Sequence, residues 1–226
     1  MKLYETDPIA VMDSGIGGLT YLEAARRLLP GLPFVYLADR EGFPYGTRNR
    51  SEVLAIVVDR VRRLVSYWHP RAVVIACNTA SQVALTAVRA DNPGIPVIGT
   101  VPAVKPAAER TRSHSIGVLA TAGAIDDPYL ADLVATFAPD EKVTLHGAQA
   151  LVEFVERDFL DSTREERLAA ILPHVLPLVE AGVDEIVLAC THFLHLSEDI
   201  ASCAADLAHS RGQDAAEVID SREGVA

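Results

Sequence analysis

Two segments half a chain length apart carry the same short pattern. Val73-Val74-Ile75-Ala76-Cys77-Asn78-Thr79 and Glu185-Ile186-Val187-Leu188-Ala189-Cys190-Thr191-His192 each run an apolar stretch into Ala-Cys and then into a polar pair. A weaker echo links the segment from Ile9 to Ser14 with the segment from Ile116 to Thr121. An unbroken apolar run of this length reads as a strand buried on both faces, which belongs to a parallel sheet. Repetition on this scale predicts two similar halves. In open parallel sheets ligands bind at the carboxyl ends of the strands, and Cys77 and Cys190 both stand at such ends. The expected architecture is α/β, with two similar parallel-sheet domains facing each other across an active-site cleft. The expected division is 1–99 plus about 213–226 for the first domain and 100–212 for the second.

The rest of the chain keeps to an alternation of short apolar strands and amphipathic helical stretches, as parallel sheets with flanking helices require. Strands are expected at Ile9 to Met12, Phe34 to Leu37, Ala72 to Ala76, Val97 to Thr100, Ile116 to Leu119, Val143 to Leu145 and Ile186 to Ala189. Helical spacing runs from Leu19 to Leu28, from a cap at Ser51 through Val65, over Ser81 to Ala90, and onward from Pro128. Thr163-Arg164-Glu165-Glu166 has the form of a capping box, opening a helix that stops near Gly182. Ser197 is expected to cap a last helix that reaches Gly212.

Composition removes several function classes. Of the 226 residues 20 are basic and 31 acidic, and the richest basic stretch, Arg60-Val61-Arg62-Arg63, reads as a solvated helix face. No clustered basic stripe suggests nucleic acid as a partner. The apolar runs are too short to span a bilayer. The N-terminal Met1 to Pro8 does not read as a signal peptide. Three cysteines, an odd number, suggest free thiols in a reducing compartment, and the cytoplasm is the expected location.

Chemistry concentrates in a few places. Each repeated cysteine lies between a strand and a helix start, where oriented backbone N–H groups favour a thiolate. A buried structural thiol is the plainer alternative, and the repetition weighs against it; Cys203, in an Ala-rich helical stretch, is read as structural. Asn78, Thr79 and Thr191 can offer amide, hydroxyl and backbone donors to a carboxylate, or cap helices. Asp13-Ser14-Gly15-Ile16-Gly17-Gly18 leads a strand through a glycine turn into a helix and would make an anion-binding nest. With Asp39 closing the second strand it mimics a dinucleotide fold, but Thr20 stands where the third glycine is needed. An acid just ahead of the turn suits proton handling better. Pro44-Tyr45-Gly46 is either a plain turn or a loop folded over a ligand. His192 suits a thiol partner or proton relay. A metal site built from Cys77, Cys190 and His192 lacks the tight paired spacing of zinc sites, so no metal is expected. Lys105 and Lys142 lack the context of a pyridoxal lysine, and no cofactor is expected.

Taken together, Asp13 to Gly18, Asp39 with Pro44-Tyr45-Gly46, Cys77-Asn78-Thr79 and Cys190-Thr191-His192 resemble the signature blocks of the glutamate racemases, within the aspartate/glutamate racemase family. Pro96 to Gly99 and Ile219-Asp220-Ser221 also fit. The resemblance implies cofactor-independent racemisation of glutamate, with Cys77 taking the α-proton from the D-enantiomer and Cys190 from the L-enantiomer. It implies that Asp13, His192 and Glu156 assist the thiols. It implies that Ser14, Pro44, Tyr45, Gly46, Asn78, Thr79 and Thr191 bind substrate. It further implies D-glutamate supply for peptidoglycan, hence cell wall and cell shape, and the homodimers that members often form. The chain departs from the pattern at Phe193-Leu194, at Ala124 and at Ala148-Gln149. Those departures keep open an aspartate or broad-specificity racemase; a non-catalytic anion- or nucleotide-binding protein is the alternative of another class.

Overall fold

The computed structural model describes residues 7–222. Met1 to Thr6 of the N-terminal reading, and the last four residues of the expected first domain, lie outside the described residues. The described chain divides into two compact units, one of residues 7–101 with Arg222 and one of residues 102–221.

In the first unit β1 (Ile9–Asp13), α1 (Leu19–Leu28), β2 (Phe34–Ala38), α2 (Arg50–Trp68), β3 (Ala72–Ile75), α3 (Asn78–Asp91) and β4 (Val97–Gly99) follow in order. All neighbouring strands are parallel, in the order β2-β1-β3-β4. β1 is buried along its whole length, as its unbroken apolar run requires, whereas the edge strand β2 is half-buried. One core packs Val53, Val57, Val61 and Leu64 of α2 with Ala80, Ala84 and Val88 of α3 against Ala10, Met12, Val73 and Ile75 of the sheet. Both helices repeat an apolar residue every three or four positions, which places that stripe on one face.

The second unit contains α4 (Val104–Arg110), β5 (Ser115–Ala120), α5 (Ala122–Asp126), α6 (Pro128–Phe137), β6 (Lys142–Gly147), α7 (Gln149–Arg157), α8 (Arg164–Glu180), β7 (Glu185–Leu188), α9 (Ser197–Ser210) and β8 (Glu217–Ile219). Its sheet is again parallel and has the order β6-β5-β7-β8, the same path as in the first unit. The repeated cysteine segments thus belong to two sheets of one topology.

The capping box at Thr163 and Glu166 forms as expected. Other local expectations shift. The cap of α2 is Asn49, not Ser51: Asn49 accepts from the Glu52 backbone, Glu52 reaches back to the Asn49 N–H, and Ser51 donates to Asn49 at 2.7 Å. Ser197 already has helical dihedrals, because the six-residue 3-10 turn Thr191–Leu196 precedes α9. α3 begins at Asn78, directly after Cys77. The short β8 pairs with β7, so residues 213–221 stay in the second unit, and the chain leaves it only after Ser221. Arg60 does not belong to a solvated face, for its guanidinium turns inward onto buried Asp39. Within the described residues no helix is long and apolar enough to cross a membrane.

Candidate active site

At the carboxyl end of the first sheet, Ala76 donates its backbone N–H to Met12 at 2.8 Å, extending the β1–β3 ladder to the residue before the thiol. Cys77 follows in extended conformation and caps α3; its carbonyl accepts from Ser81 N–H at 2.9 Å. The buried sulfur therefore stands at the positive end of a 14-residue helix, where a negative charge is favoured. The Ser81 hydroxyl donates to the Ile75 carbonyl at 3.0 Å and accepts from Thr100 N–H at 3.0 Å, which locks the strand end, helix start and β4 exit together.

Asp13 closes β1 beside this point and is fully buried. Its carboxylate accepts from the backbone N–H groups of Ser14 and Gly18 and from the Ser14 hydroxyl. The glycine turn, read from the sequence as an anion-binding nest, is thus filled by the chain's own carboxylate. Gly18 is packed so closely that an added Cβ would lie 2.9 Å from Asp13 Cβ and 3.0 Å from Ala76 Cβ. This arrangement disfavours a dinucleotide and holds Asp13 in a single orientation at the sheet's end.

Asp39, after β2, has a supporting task. Tyr45 Oη donates to it at 2.7 Å and Arg60 Nε at 2.8 Å. Burial, and then the hydrogen bond to Asp39, push the Tyr45 phenol above its ordinary range, so it remains a donor. Its hydroxyl is spent inside the protein; what the 3-10 turn Tyr45–Thr47, capped by half-buried Pro44, can offer a ligand is backbone. Gly42 makes room for this lock, since a Cβ there would fall 2.2 Å from Asp39 Oδ2. Beyond Cys77, Asn78 and Thr79 are buried, and neither amide atom of Asn78 has a hydrogen-bond partner among the described residues.

The second sheet repeats the frame. Ala189 donates to Leu119 at 2.8 Å, and Cys190 follows in extended conformation, buried. The chain then enters a 3-10 turn in place of a long helix. Cys190 Sγ lies 3.8 Å from His192 Nδ1, and His192 Nε2 lies 3.1 Å from Glu156 Oε2. Both side chains of the His192–Glu156 pair are buried. α7, which packs on the turn, supplies Glu156. An imidazole between a thiol and a carboxylate can pass a proton at one nitrogen while the other fixes its tautomer. Thr191 is buried beside them. The His195 ring lies 5.3 Å from that of Phe159. Cys203 lies in α9, and burial raises its thiol above the ordinary range, which makes it an inert packing residue. Within the described residues no group of three or more His, Cys, Asp or Glu side chains is placed to hold a metal ion.

Residues 10–222 match the sequence profile of the Asp/Glu/hydantoin racemases. The chain belongs to that family. Racemases are isomerases, and this family member is an enzyme of that class. It is 44% identical over 199 residues to a glutamate racemase of Roseiflexus sp. (strain RS-1), covering 88% of this chain and 72% of the relative. It is 42% identical to the glutamate racemase of Sphingopyxis alaskensis, over 97% of this chain and 79% of that one. Among solved structures, Escherichia coli glutamate racemase in complex with L-glutamate and the activator UDP-MurNAc-ala superposes with a TM-score of 0.84 at 31% identity, covering 96% of this chain and 79% of the other. Francisella tularensis glutamate racemase with D-glutamate gives 0.77 at 25% identity, over 97% and 77%.

One contributor escapes sequence reasoning: Arg60, which holds Asp39, carries no signal beyond its position in a basic run.

Proposed function

We propose that this racemase interconverts L- and D-glutamate by a two-base 1,1-proton transfer in which Cys77 and Cys190 act on opposite faces of one α-carbon. The observation that carries the reading is the equivalence of the two thiols. Each follows an Ala whose N–H bonds the central strand, each is extended and buried, and each opens a helical turn at the end of the third strand in chain order of its sheet. The names of the relatives support glutamate as substrate.

In the D-to-L direction the Cys77 thiolate takes the α-proton as the C–H bond breaks. The Cys190 thiol delivers its proton to the other face, leaving Cys77 protonated and Cys190 ionised; the reverse direction exchanges the roles. His192, held by Glu156, handles the proton at Cys190, and Asp13 serves Cys77. The carbanion-like transition state draws its stabilisation from fixed donors in a dry site rather than from a cofactor. Ser14, the Pro44-Tyr45-Gly46 backbone, Asn78, Thr79 and Thr191 bind the carboxylates and the amino group. The product fits a cytoplasmic supply of D-glutamate to the cell wall, by an enzyme acting as a homodimer.

Incubation with L-glutamate in D2O without added cofactor should place deuterium at the α-carbon as optical rotation decays. Cys77→Ser and Cys190→Ser should each cost at least about 10³-fold in racemisation. Full activity of either single variant in both directions would sink the two-base reading. Silence toward glutamate with turnover of aspartate would move the substrate within the family, and tight ligand binding with no α-proton exchange would move the protein out of catalysis altogether.

A further inference from the structure

Asn78, Gln82 and Gln149 each leave both amide atoms buried and without a hydrogen-bond partner among the described residues. Proteins rarely retain such groups unless something outside the chain completes them. Two of the three share a helix. Asn78 and Gln82 stand at i and i+4 in the first turns of α3, on one face, and both are more than nine-tenths buried. A helical side chain leans toward the N-terminus, so the long Gln82 side chain covers the turn that Asn78 occupies. Yet the two amides do not bond each other. Their surroundings are otherwise satisfied: Ser81 bonds Ile75 and Thr100, and the Gln82 backbone carbonyl accepts from Arg50 at 3.5 Å. In the first turns of α3 the unmet hydrogen-bonding capacity thus lies on two neutral carboxamides, one and five residues after Cys77.

We propose that Gln82 is a specificity-determining residue of the substrate site, its carboxamide donating to a carboxylate of the bound amino acid beside Asn78. This rests on the reading under Proposed function and adds to it a residue outside the Cys77-Asn78-Thr79 block. The chemistry selects an anion. Each amide offers two N–H donors, and the helix N-terminus adds positive potential that attracts a carboxylate and repels an ammonium group. Neutral donors also hold that carboxylate without placing a cation that would pair with the thiolate.

The test compares the wild type with Gln82→Leu, Gln82→Asn and Gln82→Glu. The measurements are KM and kcat for both glutamate enantiomers, binding of glutarate (an achiral dicarboxylate that cannot be racemised) by calorimetry, and Tm. Gln82→Leu should raise KM and weaken glutarate binding by about tenfold or more, the scale of one lost hydrogen bond to a charged group, with kcat little changed. Its Tm should hold or rise, because a buried unpaired amide has been removed. Gln82→Asn keeps the polarity but shortens the reach and should lie between. Gln82→Glu should bind worst, with a deficit that shrinks as the pH falls and the new carboxylate protonates. Unchanged KM and glutarate affinity in Gln82→Leu, or a lower Tm with intact kinetic constants, overturns the assignment and reduces Gln82 to packing. Should Gln82→Leu fail to fold, Gln82→Asn with wild-type constants overturns it equally. A wild type that binds glutarate but does not racemise glutamate defeats the two-thiol reading alone, provided Gln82→Leu loses the glutarate. A racemising wild type matched by Gln82→Leu defeats this inference alone.

Discussion

The two halves run the same backbone path and arm it differently. Asp39 N–H donates to Asp13 at 2.9 Å in the first, and Ala148 N–H donates to Ala120 at 2.9 Å in the second. Ala76 bonds Met12, and Ala189 bonds Leu119, each at 2.8 Å. Where the first half has the buried carboxylates Asp13 and Asp39, the second has Ala120 and Ala148. Where the first thiol heads a long α-helix, the second heads a 3-10 turn, whose hydrogen-bond geometry is poorer. The second half supplies His192 and Glu156 instead. A parallel sheet fixes where a residue at its carboxyl end will stand; the side chains hung on that frame decide how its proton is handled. On the proposed reading the frame is duplicated while the acid–base partners of the thiols diverge, because the ladder uses only backbone groups.

Exchanging the acid–base partners should break the equivalence most strongly. His192→Asn should cost about 10²-fold or more in kcat, and it should change the primary isotope effect unequally in the two directions. Asp13→Asn should also lower activity, and it should lower stability by about 1–3 kcal/mol because its buried N–H partners lose an ionised acceptor. Equal changes of the primary isotope effect in both directions, measured by circular dichroism with α-deuterated enantiomers, would argue against assigning it to the second thiol.

Tyr45→Phe separates support from catalysis in the first half. It leaves Asp39 with Arg60 but without the phenol, and should cost about 1–3 kcal/mol in denaturant melts with kcat largely kept. A large loss of kcat with unchanged stability would put the hydroxyl on the substrate instead.

The second half has its own buried carboxyl at the amino end of β7. Among the described residues Glu185 Oε2 has no hydrogen-bond partner, and burial, followed by repulsion from Glu217, pushes its pKa up to about 7; Asp184 adds to the rise, while Arg110 and Arg112 oppose it. Its folded pKa is raised, so ionisation penalises the native state. The contribution of Glu185 to stability should be fully present below the ordinary carboxylate range and should be lost as the pH rises toward and through 7. Glu185→Gln should flatten that fall and gain about 1 kcal/mol at pH 8, after allowance for solvent screening. A Tm–pH profile parallel to the wild type between pH 5 and 8 would contradict it.

Cys203→Ala marks the smallest effect. It trims a buried thiol that belongs to neither sheet end, so it should cost about 1 kcal/mol or less and leave racemisation intact. Loss of turnover in this variant would mean that the cysteine chemistry has been assigned to the wrong pair.

The parallel α/β character, the repeated halves and both thiol positions are written in the order of residues, because unbroken apolar runs and helical spacing report burial directly. The Thr163–Glu166 box is legible for the same reason: its partners are three residues apart. Asn49 competes with Ser51 for the same role, and only the backbone path chooses between them. Helices α4, α5 and α7 are short, and β8 spans three residues, too few for periodicity to register. Resemblance pointed to Glu156, but its bond to His192 depends on how α7 lies over the turn after Cys190. The inward reach of Arg60 to Asp39, the filling of the glycine turn by Asp13 and the stranded amide of Gln82 were likewise decided in three dimensions. Sequence patterning reveals which residues leave water; which polar groups then meet, and which are left unmet, depends on the packing of helices over a sheet.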